Sequence, residues 1–181
     1  AEFKPVEENR EALAQVLRPE FKRNLWFTDR DENQALSLRY SGEVLFNEKS
    51  AFQNVRVYQS CSYGKMLTID NMVMCTERDE FHYHEMLVHP AMQSHARPER
   101  VLVIGGGDGG TIREVLRYPS VEKVVMVEID ESVVRAAREF LPGIACQFDN
   151  PKLELRFEDG IRYVSSLKPE SFDVIIIDGS D

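Results

Sequence analysis

Cysteine is scarce and gives no sign of special chemistry. Cys61, Cys75 and Cys146 are the only three in the chain, and none stands in a C-x-x-C pair. They read as reduced, small core residues of a cytoplasmic protein. Long apolar runs are missing as well. No stretch approaches the roughly 20 residues that a membrane-crossing helix needs, and none has the make-up of a signal peptide. Because the first residue is Ala1 rather than Met, a processed or trimmed N-terminus is expected. Cations are the minority charge, 22 Lys and Arg against 31 Asp and Glu, for a formal net charge of −9. That balance argues against a nucleic-acid backbone as partner and leaves room for a cationic one. Repeats and low-complexity tracts are absent too. What remains is 181 residues, 43% apolar and 29% charged, enough for one good core and a small appendage.

The chain is organised around Val101-Leu-Val-Ile-Gly-Gly-Gly-Asp-Gly-Gly110. A buried-strand run breaks into glycines at Gly105, Gly107 and Gly109, then enters the helix-forming Thr111–Arg117. This is the strand, tight turn and helix of a nucleotide-type α/β fold, in which glycine lets the backbone lie against a ligand. About twenty residues on, Glu128 ends the next apolar run, where a carboxylate can accept hydrogen bonds from ribose hydroxyls.

Upstream, residues 1–34 read as an N-terminal extension with a short amphipathic helix between Glu7 and Arg18, and Leu25-Trp-Phe27 as a packing or subunit patch. Residues 35–75 alternate with period two and predict a small antiparallel β domain, with turns at Gly42, Gly64 and Asp70-Asn71. Thr76-Glu-Arg-Asp79 has the form of a capping box and predicts a helix from about Glu77 to about His95. Residues 76–181 then alternate strands (101–104, 123–128, 153–157, 172–177) with helices (109–117, 131–140, 160–167). Right-handed crossovers give a parallel sheet with its ligand at the carboxyl ends of the strands. Those ends carry Asp108, Glu128, Asp159 and Asp178, with Asp181 behind. Desolvated acids on one rim repel each other unless a cation sits among them, so a cationic ligand is the economical expectation.

Four motifs, Thr76-Glu-Arg-Asp-Glu-Phe-His-Tyr-His-Glu-Met86, Gly105–Gly110, Val127-Glu-Ile-Asp130 and Asp178-Gly-Ser-Asp181, together resemble the spermidine synthase (polyamine aminopropyltransferase) family from about Leu45 onward. The resemblance implies a class I methyltransferase-like, Rossmann-like parallel sheet, of which this chain holds the first strands. The catalytic domain is therefore expected to continue in a longer polypeptide. It also implies decarboxylated S-adenosylmethionine as cosubstrate, with no separate cofactor and no metal, putrescine as acceptor, and a homodimer. Carried over by position, Gln53, Gly105, Gly107, Asp108, Glu128, Asp159 and Gly160 would hold the cosubstrate. Tyr83, His84, Asp108, Asp178 and Asp181 would hold the diamine, and Asp178 with Tyr83 would be catalytic. Asn71 and Met74 stand where many members carry glycine and glutamine, which bears on acceptor choice. Cadaverine or agmatine are alternative acceptors. A methyltransferase, or an inactive fragment with residual nucleoside binding, are the alternative functions.

The residues carry their own chemical sense. Decarboxylated cosubstrate ends in an ammonium, whereas ordinary S-adenosylmethionine also carries a carboxylate. Asp108 attracts the first and repels the second. The acceptor must react as a neutral amine, although an alkylammonium is only about one-thousandth neutral at pH 7, a handicap of roughly 4 kcal/mol. Asp178 and Tyr83 are the candidates to orient that amine and take its proton. A zinc site at His84 and His89 is not expected, since i,i+5 spacing sets the rings about 140° apart on a helix.

Overall fold

The computed structural model describes residues 25–179. The helix expected between Glu7 and Arg18, and Asp181, lie outside the described residues. Five strands form one antiparallel sheet in the order of the chain: β1 (Trp26–Arg30), β2 (Ala35–Lys49), β3 (Asn54–Ser60), β4 (Lys65–Ile69) and β5 (Met72–Thr76). The meander therefore starts before Ala35, because β1 pairs with β2 from Trp26↔Arg39 to Arg30↔Ala35. Gly42 is not a turn between two strands. It sits inside β2 at φ +87°, where the register against β3 shifts, so one long bulged strand replaces two short ones. The expected turn at Asp70-Asn71 is present, and both residues adopt the positive φ that a two-residue hairpin of this kind requires.

Helix α1 (Glu80–Ser94) follows, and then the alternating unit: β6 (Arg100–Gly105), α2 (Gly110–Val115), β7 (Lys123–Glu128), α3 (Glu131–Phe140), β8 (Leu153–Phe157), α4 (Gly160–Ser166) and β9 (Val174–Asp178). The four strands are parallel in the order β8-β7-β6-β9. Helix α1 starts three residues later than the capping-box pattern implies. Thr76 is still paired in β5, its hydroxyl bonds the Asp79 carboxylate, and Asp79 becomes the N-cap.

Strand periodicity divides the apolar residues between two faces. Val101 and Val103 of β6, Val124 and Met126 of β7, and Val174 and Ile176 of β9 meet Val88 and Met92 of α1 and Ile112 and Val115 of α2. Leu102, Val125 and Val127 face the other way, toward Tyr163, Leu167 and Phe172. A strand buried on both sides has to read as a continuous apolar run, which is why β6 and β7 do. The antiparallel sheet docks on this unit through α3, whose Val133 and Ala136, with Leu141 and Ile144, pack on Val55, Val57, Leu67 and Ile69. Asp130 pins that joint. It caps α3 by accepting the Ser132 N–H at 2.9 Å, and it accepts the Ser50 hydroxyl, from the β2–β3 turn, at 2.6 Å. A cap of this type contributes about 1 kcal/mol.

One expectation about side-chain placement is corrected, and another is divided between its two aromatics. Only Cys75 is a core cysteine; Cys61 and Cys146 are exposed on connecting segments. Phe27 packs inside its own sheet against Tyr58, which leaves Trp26 as the exposed aromatic of that patch.

The glycine turn leaves almost no tolerance. Gly105 has φ +81°, and a Cβ there would stand 2.0 Å from the Asp178 backbone oxygen. Gly105→Ala is accordingly expected to destabilise the fold by about 3 kcal/mol or more, the range in which backbone strain combines with a steric clash. Urea unfolding measures this, and a midpoint unchanged from wild type would contradict it.

Candidate active site

The carboxyl ends of β6, β7 and β9 open into a cavity of ≈ 1140 Å³, roofed by β1, β2 and β5 of the antiparallel sheet. Asp108, Glu128, Asp159 and Asp178 all line it, as do Gln53, Tyr83, Gly105, Gly107 and Gly160. The β1–β2 hairpin adds Asp29 and Asp31, so among the described residues six carboxylates face one lining cation, Arg30. Asp29 and Asp31 also do local work, accepting backbone N–H groups of Val73 and of Asn33 and Gln34 respectively.

Asp178, the last residue of β9, is held from two sides. Its Oδ1 accepts the Tyr83 hydroxyl at 2.9 Å and its Oδ2 accepts the Thr111 hydroxyl at 2.6 Å. Burial raises its pKa, and the Asp108 charge raises it further. The two hydroxyl donors and the charge on His84 offset only part of that. Tyr83 responds in the same direction. Desolvation and the neighbouring Asp178 charge push its phenol well above the usual value. At neutral pH Tyr83 is therefore a hydrogen-bond donor that orients Asp178 and not a second base.

Asp108 projects from the glycine turn, with its Oδ1 accepting the Gly110 N–H at 2.8 Å. Behind it lies His84, 1% exposed, with Nε2 at 3.2 Å from Asp108 Oδ1 and Nδ1 at 2.6 Å from Glu80 Oε2. The Nε2 contact is close but too poorly angled to count as a hydrogen bond, and among the described residues this nitrogen has no other partner. His84 was expected to touch the diamine. It lies outside the cavity lining, one layer back, because the buried stripe of α1 runs Glu80, His84, Val88, Met92 and turns its ring onto α2. Gly110 makes room for that ring, since a Cβ there would lie 2.3 Å from it.

Glu128 is buried at the end of β7 and accepts the Asp130 N–H at 2.9 Å. Desolvation raises its pKa against the lowering effect of backbone donors. Gly107 must be glycine here, since a Cβ would fall 2.9 Å from Glu128 Oε2 and 2.7 Å from Val133. Asp159 caps α4 through the Ile161 and Arg162 N–H groups. Gly160 packs directly on Ile104, which would lie 2.6 Å from an added Cβ. Met74 lines the cavity, whereas Asn71 sits in its hairpin and accepts a bond from Arg56.

Thr111, Glu80 and Arg113 went unread in the sequence. Thr111 follows the glycine turn directly, where a hydroxyl can reach the neighbouring strand end, and that position is its only signal. Glu80 and His84 form an i,i+4 pair, a signal present but ambiguous with a solvated face. His89 is engaged elsewhere: Nδ1 with the Tyr118 hydroxyl at 2.9 Å, and Nε2 3.4 Å from Glu114. Glu85, His89 and Glu114 could bring ligand atoms within 4.8 Å of each other. Arg113 and Arg117 already bond Glu114, however, and supply positive charge there. Among the described residues no helix is long and apolar enough to cross a membrane.

Comparison with known proteins matches two family models in succession: the spermidine synthase tetramerisation domain over residues 25–77 and the spermine/spermidine synthase domain over residues 80–181. A polyamine aminopropyltransferase of Thermoanaerobacter sp. (strain X514) is 48% identical over 158 residues, covering 87% of this chain and 56% of its own length. One from Methanocaldococcus jannaschii is 45% identical over 163 residues, covering 90% and 55%. The chain thus spans about half the length of the curated relatives it matches. Among solved structures, a spermidine synthase in complex with the transition-state analogue AdoDATO superposes with TM-score 0.84 at 42% identity, over 88% of this chain and 54% of that one. The Thermotoga maritima spermidine synthase gives TM-score 0.83 at 42% identity, over 87% and 56%.

Proposed function

The chain belongs to the spermine/spermidine synthase family, and on that premise we propose that the full-length protein transfers the aminopropyl group of decarboxylated S-adenosylmethionine to putrescine. The products are spermidine and methylthioadenosine. The observation that carries this reading is the ring of carboxylates, Asp108, Glu128, Asp159 and Asp178, around one cavity at the strand ends. Such a ring suits a sulfonium donor with a free ammonium and a polyamine acceptor, both cationic.

In this reading Glu128 binds the ribose hydroxyls, Asp159 the adenine amine, and Asp108 the ammonium of the aminopropyl group. Gln53 and the glycines Gly105, Gly107 and Gly160 form the walls. Asp178, oriented by Tyr83 and Thr111, faces the acceptor amine, and Asp181 would hold the far end of the diamine. The nitrogen lone pair attacks the methylene next to sulfur. The carbon–sulfur bond breaks, the sulfonium becomes a neutral thioether, and the proton leaves the acceptor nitrogen for Asp178. Alignment of amine, carbon and sulfur within the cavity supplies the rest of the acceleration, with no metal or separate cofactor in the reaction.

A cytoplasmic setting fits three unpaired cysteines. Self-association through the antiparallel sheet, at least to a homodimer, fits the match to the tetramerisation domain and the exposed Trp26 and Val44 of that sheet and Phe52 of its β2–β3 turn.

The test incubates full-length protein with decarboxylated or ordinary S-adenosylmethionine and a panel of putrescine, cadaverine and agmatine. Methylthioadenosine is expected from the decarboxylated cosubstrate, fastest with putrescine. S-adenosylhomocysteine formed from the ordinary cosubstrate would overturn the reading in favour of methyl transfer. Turnover with cadaverine or agmatine in place of putrescine would keep the reaction and change the acceptor, with the apolar Met74 wall as the first suspect.

A further inference from the structure

Asp108 and Asp178 face the same cavity, and two carboxylates sharing a low-dielectric site compete for one proton. Their surroundings differ in a way that decides the competition. Asp178 is bonded directly by the neutral hydroxyls of Tyr83 and Thr111 and feels the His84 charge only at longer range. Asp108 is backed by the His84 ring, 3.2 Å away, at the end of a buried row of alternating groups. Starting from the outside, Arg117 bonds Glu114 at 2.7 Å and Glu114 bonds the Arg113 Nε at 2.9 Å. Arg113 then grips both oxygens of Glu80, at 2.8 Å each, and Glu80 bonds His84 at 2.6 Å. A two-pronged guanidinium clamp holds its carboxylate ionised and fixes where it points.

We propose that Glu80, clamped by Arg113, is a positioning residue that acts through His84. It holds His84 as an imidazolium, which keeps Asp108 ionised to receive the donor's ammonium and leaves Asp178 as the carboxylate that takes the acceptor's proton.

Every element packed against His84 is consistent with this. Glu80 faces it from α1, Asp108 from the glycine turn and Asp178 from the end of β9, all three acidic. Gly110 of α2 gives the ring space and brings no charge, and Cys75 of β5 stands beside Asp108 as a buried thiol whose pKa is raised well above its usual value. Burial pulls the His84 pKa down, but the Asp108 carboxylate against Nε2, the bond with Glu80 and the charges on Asp108 and Asp178 outweigh it and push it up to about 10. Glu80 is shifted the other way, to about 2, because the bonds from His84 and Arg113 overcome its desolvation. The row thus delivers charge to Asp108 from two helices while leaving the cavity free for ligand.

This inference rests on the aminopropyl-transfer reading for its catalytic consequence, but the charge on His84 can be read without turnover. Nuclear magnetic resonance of full-length protein labelled at histidine, with His84 assigned by its loss in His84→Asn, is expected to show the wild-type ring cationic at pH 8. In Glu80→Gln the ring is expected to be neutral at that pH. A wild-type His84 that is neutral at pH 7 would overturn the proposal, and the protonation state itself is read on the wild-type protein. In turnover, the acid limb of the kcat/KM profile of Glu80→Gln is expected to move up by about one pH unit, a tenfold loss on that limb. The shift arises because Asp108 and Asp178 then bind their first proton at a higher apparent value. Arg113→Lys, which keeps the charge but loses the two-pronged grip, should fall between wild type and Glu80→Gln. A folded Glu80→Gln protein with an unshifted profile overturns the proposal. If the wild-type protein shows a cationic His84 and no aminopropyl transfer, the function fails and the charge row stands.

Discussion

Asp178→Asn is expected to lower turnover at pH 7 by roughly 10²- to 10⁴-fold, the range for loss of a positioned general base. The amide is nearly isosteric, and both hydroxyl neighbours can adapt. Tyr83 can still donate to the amide oxygen, and the Thr111 hydroxyl can rotate to accept from the amide nitrogen. What is lost is the capacity to take a proton from the acceptor nitrogen. Donor binding is expected to change little, since Asp108 and Glu128 are untouched, so the loss should fall on kcat rather than on the donor's KM. A variant that keeps most of its turnover at pH 7 would end the assignment of Asp178 as base.

The pH dependence of the wild-type protein follows from the same residue. Burial raises the Asp178 pKa above the ordinary 3.8, and the proposed proton transfer requires the ionised form. The acid limb of kcat/KM should therefore lie above that of an ordinary aspartate. Stability runs in the opposite sense from activity. A carboxyl whose folded pKa is raised contributes stability below its unfolded value, and that contribution is lost as pH rises through the folded value. At neutral pH the ionised Asp178 thus weakens the fold, and Asp178→Asn should melt no lower than wild type while being far less active. Differential scanning calorimetry at pH 7 separates this outcome from simple misfolding, which would lower both.

The alternating unit was legible because its strands are buried on both faces, so that β6 and β7 appear as uninterrupted apolar runs and end in glycine or an acid. Strand β7 and helix α3 were placed correctly to the residue for that reason. The antiparallel sheet was harder. Gly42 signals a turn when only local chemistry is considered, and only the pairing of β2 with β3 shows that it bulges a continuous strand. Strand β1 was missed because Trp26–Arg30 alternates weakly and gains its order from β2, a tertiary effect. The rim acids could be read from their positions at strand ends, a feature that topology alone enforces. The layer behind them could not. Nothing local distinguishes a Glu80–His84 pair on a wet helix face from one buried against α2, so the sequence does not show that His84 lies behind Asp108.

Asp108→Asn is expected to remove most of the preference for decarboxylated over ordinary S-adenosylmethionine. A unit charge pair at about 4 Å is worth on the order of 4 kcal/mol at an effective dielectric near 20, before desolvation is subtracted. If desolvation takes about half, the donor's affinity should fall by roughly 30-fold, and with no such discount by roughly 10³-fold. The asparagine can still accept the Gly110 N–H through its oxygen, so the glycine turn keeps its shape. Methylthioadenosine supplies the control, because it shares the nucleoside but lacks the aminopropyl ammonium. Its affinity, measured by isothermal titration calorimetry, should stay within about twofold of wild type if Asp108 acts through charge on that ammonium. An equal fall for both ligands would mean that the substitution had damaged the nucleoside site. A preserved preference with intact affinity would mean that another of the rim acids, Asp178 first among them, selects the donor.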